Sequence, residues 1–197
     1  MARRARIRLA SPADGEALAL IYRPAVVDVA TSFELEPPGG EEMGRRVSAL
    51  IARLPWLIAE RNGDVAGYAY ASPHRERAAY RWCAEVSAYV APGAQRGGVG
   101  WSLYSALFDI LALQRYRNAY AGITLPNEAS ERFHERMGFT LVGVFRRIGY
   151  KFGRWHDVAW YERELATLGA DAAPPRPLDE LVSAGELTSI LGRWSEG

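Results

Sequence analysis

The chain has 197 residues, 49% of them hydrophobic, so it can bury the core of one domain carrying a short extension. Its 24 basic and 23 acidic side chains leave a formal net charge of +1, which gives no support for nucleic acid or an anionic membrane as a partner. The single cysteine, Cys83, excludes an intramolecular disulfide and fits a reducing compartment. No apolar stretch is long enough for a signal peptide or a membrane span, so we expect a cytoplasmic protein.

Hydrophobic periodicity predicts a mixed α/β chain in the order βααβββαβαββ. The predicted strands cover residues 7–9, 56–60, 65–71, 80–90, 119–125, 139–147 and 155–164. The predicted helices begin near Ser11 and at residues 41, 99 and 127, and they end near residues 24–27, 54, 116 and 137. Residues 170–178 are rich in Ala and Pro, and residues 179–194 fit one further amphipathic helix. We therefore expect a domain over residues 1–168 and a Pro-rich extension over 169–197, packed on the domain or on a dimer partner.

A glycine-rich loop joins the predicted strand 80–90 to the helix that follows it. The loop reads Gln95-Arg96-Gly97-Gly98-Val99-Gly100 and is followed by Trp101. Glycines let backbone N–H groups approach a ligand closely, and the first turn of a helix leaves its N–H groups unpaired and favours negative charge. A Walker loop requires Lys and Ser or Thr after the last glycine, and the Rossmann spacing is absent. The loop therefore predicts a pyrophosphate site of another kind.

The pattern Gln-Arg-x-Gly-x-Gly resembles the acyl-CoA-binding motif of the GNAT N-acetyltransferases. More narrowly, residues 7–178 resemble the phosphinothricin N-acetyltransferases. The segments that carry this resemblance include Ser32-Phe33-Glu34-Leu35-Glu36-Pro37, Ala79-Tyr80-Arg81-Trp82-Cys83-Ala84-Glu85, Leu125-Pro126-Asn127 and Gly153-Arg154-Trp155-His156-Asp157-Val158. The resemblance implies the GNAT fold, in which helices flank a mixed, mostly antiparallel twisted sheet. It also implies acetyl-CoA as co-substrate, an amino-acid acceptor and a homodimer formed through the late strands and the C-terminal segment.

Two residues are candidates for the chemistry. An amino group is mostly protonated near neutral pH, so a base must remove its proton before it can attack a thioester. The resemblance places the family's catalytic glutamate at Glu85, beside Trp82 and Tyr89, whose burial around it would raise its pKa. It also places His134 where a group could donate a proton to the leaving thiolate or relay one from the amine.

The resemblance also assigns residues to the cofactor. Ala88, Tyr89 and Val90 would pair with the pantetheine arm, and a bulge there would free N–H groups for the oxyanion. Asn127 matches a family contact to the cofactor and is equally suited to cap a helix. The residues assigned to the pyrophosphate are those of the glycine loop: Gln95, Arg96, Gly97, Gly98, Val99, Gly100 and Trp101.

The acceptor is assigned to loops. Arg75 and Arg77 match basic family positions suited to an anionic substrate, and Phe33, Tyr80 and Thr124 match further contacts. Glu34 replaces a basic residue of close relatives, and Thr124 stands where glycine is common. Either departure could shift the acceptor from phosphinothricin to methionine sulfoximine, methionine sulfone or an arsenic analogue.

The other two histidines give weaker signals. His74 is expected to be a loop residue on the surface, and His156 fits a structural role as well as a functional one. The three histidines and Cys83 show no metal-ligand spacing, so we expect no metal. Two other functions remain open: a non-catalytic acyl-CoA-binding module, which would not release CoA with any amine, and an acetyltransferase acting on proteins.

Overall fold

The structure, a computed structural model, describes residues 5–166 and 173–195. Within these residues the predicted order of strands and helices is confirmed, and two short helices follow the last strand. The strands are β1 (Arg6–Leu9), β2 (Trp56–Arg61), β3 (Asp64–Pro73), β4 (Cys83–Val90), β5 (Asn118–Thr124), β6 (Thr140–Lys151) and β7 (Arg154–Glu164). The helices are α1 (Gly15–Val27), α2 (Gly40–Leu50), α3 (Val99–Leu113), α4 (Glu128–Arg136), α5 (Leu178–Ser183) and α6 (Leu187–Ser195).

All seven of these strands lie in one sheet, in the order β1-β2-β3-β4-β5-β7-β6. Neighbouring strands are antiparallel except β4 and β5, which are parallel. The parallel pair is short, since it aligns only three residue pairs and ends at Glu85 opposite Tyr120. Both strands continue beyond this point, β4 to Val90 and β5 to Thr124, without pairing to each other. The sheet therefore opens into a gap between its two central strands.

Helices cover both faces of the sheet. On one face α1 and α2 bury Leu18 and Val47 against Trp56. On the other face α3 buries Leu107 among the side chains of the central strands. Burial of a large aliphatic side chain stabilises the fold by about 1.5–3 kcal/mol, so these two layers fix the strands that border the gap.

The segment after residue 173 packs on the domain. Leu178 and Leu181 of α5 are fully buried in the same core as α3. At the end of α6 the Ser195 hydroxyl accepts a hydrogen bond of 2.7 Å from the Ile7 backbone N–H in the edge strand β1. The predicted single helix over 179–194 is wrong, because the chain turns at Gly185, where φ is +70°, and forms α5 and α6 instead. The predicted boundary at 168/169 lies outside the described residues.

Two predicted boundaries near the site also differ. The strand predicted from residue 80 begins at Cys83, because Ala78–Tyr80 form a 3-10 turn closed by the Tyr80 N–H to the Arg77 carbonyl. The helix predicted to residue 116 ends at Leu113, and Arg115 follows with a positive φ of 72° that a right-handed helix cannot contain.

Candidate active site

The gap between β4 and β5 contains a cavity of about 380 Å³. Its walls begin one residue past the last paired residues, at Val86 on β4 and Ala121 on β5. Pro24 of α1 lines it on one side of the sheet and His134 of α4 on the other. A ligand in this cavity would therefore pass through the sheet, and two molecules approaching from opposite faces would meet beside Glu85.

The backbone of β4 supplies unpaired groups to this cavity. The expected bulge at 88–90 is wrong, since β3 and β4 pair in an unbroken register from Gly67 opposite Val90 to Pro73 opposite Ala84. The Ala91 N–H donates to the Ala66 carbonyl at 3.0 Å, and alternate residues of an antiparallel strand face opposite sides. The backbone groups of Ala88 and Val90 therefore face the gap, whereas those of Tyr89 face β3. Divergence of the strands, rather than a bulge, frees the N–H groups.

The Tyr89 side chain lies on the face of the sheet that α1 covers. Its ring packs edge-on against Tyr22 of α1, with centroids 4.9 Å apart, and lies 5.3 Å from the Tyr68 ring. Glu85 lies four residues earlier on this same face, whereas Ala84 and Val86 belong to the core beneath α3. The candidate base and the aromatic wall therefore share the α1 side of the gap.

The glycine loop follows the end of β4 and meets the cavity at Gln95, whereas Gly97, Gly98, Val99 and Trp101 line a second pocket. Gly98 caps α3 with a φ of +81°, and a Cβ at this position would meet no atom within 4 Å, so the approach to the α3 N-terminus is open. Arg96 also has a positive φ, of 60°. Arg61, at the end of β2, fixes the loop through a hydrogen bond of 2.9 Å from its Nη2 to the Gly97 carbonyl. Nothing in the local sequence around Arg61 predicted this contact. The open loop with its free N–H groups fits a pyrophosphate.

Glu85 lies at the apex of the gap, and its side chain is 36% exposed. Burial raises the pKa of this carboxyl above its usual value, and the nearby Arg75 guanidinium partly opposes that rise. The His74 Nδ1 lies 3.8 Å from Glu85 Oε2. The prediction that His74 is a surface residue is wrong, because its side chain is only 14% exposed and its ring stacks on Tyr120.

His134 is buried on the other side of the gap. Its Nδ1 donates to the Ser130 carbonyl at 2.8 Å, since a carbonyl can only accept, so Nε2 of the neutral ring is an acceptor. The Tyr104 hydroxyl lies 3.3 Å from Nε2 and is the group able to donate to it. Burial lowers the pKa of His134, and its bond to Ser130 partly opposes that effect. His134 is thus held as a neutral acceptor, which suits it to orient the Tyr104 hydroxyl rather than to donate a proton.

Tyr104 was missed by the sequence analysis. It lies four residues after Gly100 on the same face of α3, a spacing that could have placed it beside the glycine loop. The residue is 1% exposed and lines the cavity, and burial raises the pKa of its hydroxyl far above its usual value. It is therefore a neutral hydrogen-bond donor at any physiological pH.

Asn127 and Thr124 both line the cavity at the end of β5. The Asn127 side chain caps α4 by accepting a hydrogen bond of 3.2 Å from the Ser130 N–H. This cap fixes the first turn of the helix that carries His134. Thr124 is paired with Val158 of β7, so the strand holds its side chain at the cavity wall.

The other predicted acceptor contacts lie outside the cavity wall. Arg75, Arg77 and Tyr80 are exposed in the segment between β3 and β4, where Arg75 is close enough to act on Glu85. Phe33 packs over β6, where a Cβ on Gly149 would lie 2.3 Å from its ring. Of the acceptor candidates, Thr124 therefore lies on the cavity wall and Arg75 lies close enough to act on Glu85. The cofactor candidates on the same wall are Ala88, Tyr89, Val90, Gln95 and Asn127.

Two buried contacts fix the loop that carries Phe33. The Lys151 ammonium is buried and donates to the carbonyls of Ser32 and Glu34 at 2.6 and 2.7 Å. The Glu34 carboxylate accepts two hydrogen bonds from Arg46, at 2.7 and 3.1 Å, and these bonds lower its pKa. The departure at Glu34 therefore adds a paired carboxylate to the loop rather than a free one.

The remaining chemistry candidates have structural roles. His156 is 3% exposed, and its Nε2 lies 3.1 Å from the Lys151 carbonyl. Burial raises the pKa of the Cys83 thiol, which disfavours the thiolate that a covalent intermediate would need. Over residues 5–166 and 173–195 no cluster of three His, Cys, Asp or Glu side chains could hold a metal ion. No helix within those ranges is both long and apolar enough to cross a membrane.

The fold, the divergent central strands and the glycine loop together define an acyltransferase of one superfamily. Residues 7–160 match the family model described as Acetyltransferase (GNAT) domain, and the chain belongs to that family.

Its relatives within the family include acetyltransferases named for phosphinothricin and for methionine sulfoximine. The chain is 40% identical to the phosphinothricin N-acetyltransferase of Streptomyces viridochromogenes, over 87% of this chain and 92% of that protein. It is 34% identical to the L-methionine sulfoximine/L-methionine sulfone acetyltransferase of Salmonella typhimurium, over 81% of this chain and 94% of that protein. Among solved structures, the phosphinothricin acetyltransferase of Sinorhizobium meliloti in complex with acetyl-CoA aligns with a TM-score of 0.80 and 35% identity, covering 87% and 94% of the two chains.

Proposed function

We propose that the protein transfers the acetyl group of acetyl-CoA to the α-amino group of phosphinothricin or of a related amino acid such as methionine sulfoximine. The observation that carries this proposal is the gap between β4 and β5 that ends at Glu85. The glycine loop follows β4 directly and leads into α3. The gap lets an amine on the α1 side reach a thioester on the α4 side. The relatives named above act on such amino acids.

The residues at the gap fit acetyl-CoA. The open approach to Gly98 and the N–H groups of the first α3 turn suit its pyrophosphate. The backbone groups of Ala88 and Val90 would hold the pantetheine arm as an added strand and provide N–H donors for charge that develops on the acyl oxygen. When bound, acetyl-CoA supplies an activated acyl group.

Glu85 acts as the general base for the acceptor ammonium. A base works best when its pKa approaches the working pH, and burial moves the pKa of Glu85 upward in that direction. The carboxylate also remains partly exposed at the apex of the gap, where an incoming amine can reach it. The proton moves from the amine nitrogen to Glu85, and the neutral amine then attacks.

Tyr104 and His134 serve the leaving sulfur. Neutral His134 has its one N–H engaged with Ser130, so the Tyr104 O–H is the proton in this pair that can turn toward the cavity. A hydrogen bond from Tyr104 would stabilise the negative charge on the departing thiolate. His134 orients the hydroxyl between turnovers by accepting its hydrogen bond.

The acceptor assignment is tested with an amine panel. Purified protein and acetyl-CoA are offered phosphinothricin, methionine sulfoximine, methionine sulfone and ordinary amino acids, and CoA release is measured. We expect acetylation of phosphinothricin or a close analogue, and a growth assay then tests for resistance. If the arginines bind the acceptor's anion, Arg75→Ala and Arg77→Ala raise the KM for the acceptor by about ten- to a hundredfold and leave the KM for acetyl-CoA unchanged. A protein that binds acetyl-CoA but acetylates no amine would be a binding module.

The β6–β7 hairpin supports a homodimer. Its outer surface carries large apolar side chains that are 47–59% exposed, and β6 is an edge strand of the sheet. These side chains are Leu141, Val142, Phe145, Ile148, Tyr150, Phe152 and Trp155. We expect twice the chain mass by light scattering and a monomer for Phe145→Arg. Leu20→Arg, an exposed leucine on α1, is the matched control and should leave the mass unchanged.

The cytoplasm is the proposed location. Acetyl-CoA must be available to the protein, and the single cysteine is compatible with a reducing compartment. Fractionation of cells that produce the protein, followed by immunoblotting, tests this assignment.

A further inference from the structure

A further titratable side chain, His74, lies beside the proposed base. His74 follows the last residue of β3, and its ring is held between two aromatic side chains from other strands. It stacks on Tyr120 of β5 with ring centroids 4.5 Å apart and planes at 21°. The Trp160 ring of β7 meets it edge-on at 5.6 Å and 76°. These two contacts fix both the plane and the position of the imidazole.

One nitrogen of this ring lacks a partner. Nδ1 is closed to solvent and makes no hydrogen bond with any of the described residues. Buried polar atoms are almost always hydrogen-bonded. A buried ring nitrogen without a partner at a reaction site therefore indicates a hydrogen bond that forms only during part of the catalytic cycle. The nearest carboxylate oxygen in an ion-pair position is Glu85 Oε2, at 3.8 Å. A movement of about 1 Å would bring the two atoms to hydrogen-bond distance.

We propose that His74 is a positioning residue for Glu85 that also receives its proton. This inference rests on the proposed function, because it requires Glu85 to take a proton from the acceptor ammonium. The O–H bond of protonated Glu85 breaks as an N–H bond forms at His74 Nδ1, which restores the carboxylate and gives an imidazolium. The imidazolium then loses a proton from Nε2 to water. No oxidation or reduction takes place. Glu85 returns at once to the carboxylate, and the neutral ring, left with its proton on Nδ1, regains the Nε2–H tautomer by proton exchange with water before the next turnover.

The surroundings permit this cycle. The His74 side chain keeps 14% of its surface exposed although Nδ1 is covered, so another part of the side chain reaches solvent. Burial raises the pKa of Glu85 and lowers that of His74, and the two pKa values therefore approach each other. Arg75 lowers both, which favours the carboxylate and makes the imidazolium short-lived. The titratable groups around the pair are Arg75 from the loop, Tyr70 from β3, and Tyr120 with its neighbours Cys83 and Glu162.

The alternative is that His74 is only an aromatic filler between Tyr120 and Trp160. The variant His74→Phe separates the two roles, because phenylalanine keeps the stacked ring and removes both nitrogens. We expect kcat to fall about tenfold, which corresponds to one hydrogen bond to a charged group, with an unchanged KM for acetyl-CoA. The acidic limb of the pH–kcat profile should also change shape, since one of the two coupled groups is gone. The variant His74→Asn, which keeps a polar atom, should recover part of the positioning and little of the relay.

Histidine NMR gives a readout that needs no turnover. The chain has three histidines, so the resonance of His74 is assigned by comparison with His74→Phe. Replacing Glu85 with Gln removes a negative charge beside Nδ1, so the pKa of His74 should fall in Glu85→Gln while the resonance of His156 stays unchanged. An identical His74 titration in both proteins, together with wild-type kcat and pH profile for His74→Phe, would overturn the inference. Failure to acetylate any amine would instead overturn the proposed function, and the NMR comparison would still decide whether the two residues are coupled.

Discussion

The two sides of the gap hold their titratable groups in different ways. On the α1 side Glu85 is 36% exposed and lies close to Arg75 and His74. On the α4 side His134 is 7% exposed, and its two nitrogens face Ser130 and Tyr104. Burial shifts both pKa values toward the neutral form, upward for the carboxyl and downward for the imidazole. Glu85, which must lose a proton in every turnover, stays near solvent. His134, which only orients a hydrogen bond, can be fully buried.

The largest loss of activity should come from removing the base on the α1 side of the gap. The variant Glu85→Gln keeps the shape of the side chain and removes its basicity, so we expect kcat to fall by about a hundredfold or more. Affinity for acetyl-CoA, measured by calorimetry, should stay close to wild type because the cofactor contacts lie beyond the apex. Normal turnover at neutral pH would show that the proton leaves through another group.

A smaller effect is expected on the α4 side. The variant Tyr104→Phe removes one hydroxyl and keeps the packing, so we expect kcat to fall about tenfold if the hydroxyl supports the leaving sulfur. The matched control is Tyr116→Phe, a second buried tyrosine of the same core that does not line the cavity. Equal kinetics for the two variants would assign Tyr104 to packing alone.

The smallest effect concerns the pH profile. Glu85 must be ionised to act, so kcat falls as the pH drops through its raised pKa. Arg75 opposes that rise, and Arg75→Ala should therefore move the acidic limb to higher pH. The shift should be at most about one pH unit, because the arginine is exposed and screened by salt. The limb is recorded as kcat at saturating acceptor, and a limb that moves to lower pH would contradict the assigned charge effect.

The features predictable from the sequence are those set by neighbours along the chain. The glycine loop before α3 and the cap at Asn127 depend on a few consecutive residues, and both are found where the local pattern places them. The order of strands and helices follows from periodicity in the same way. The resemblance to a family then indicated Glu85 and His134, which local patterns alone could not have selected.

The features that were missed depend on contacts between distant segments. The environment of His74 is made by Tyr120 and Trp160 from strands later in the chain, so its position beside a loop gave the wrong expectation. The contact of Arg61 with Gly97 spans 36 residues. The free N–H groups of β4 arise from its divergence from β5, a property of the whole sheet. The expected bulge is absent, because β4 pairs with β3 in an unbroken register.

The hydrogen bond between Ser195 and Ile7 joins positions 188 residues apart. During synthesis, nearly the whole chain must therefore be made before α6 can cover the outer edge of β1. Until α6 arrives, β1 presents an unpaired edge of the kind that recruits strands from other molecules. We infer that a nascent chain, or one truncated before α6, is the aggregation-prone form of this protein. Packing of α6 on β1 covers the exposed strand edge and so protects against this aggregation.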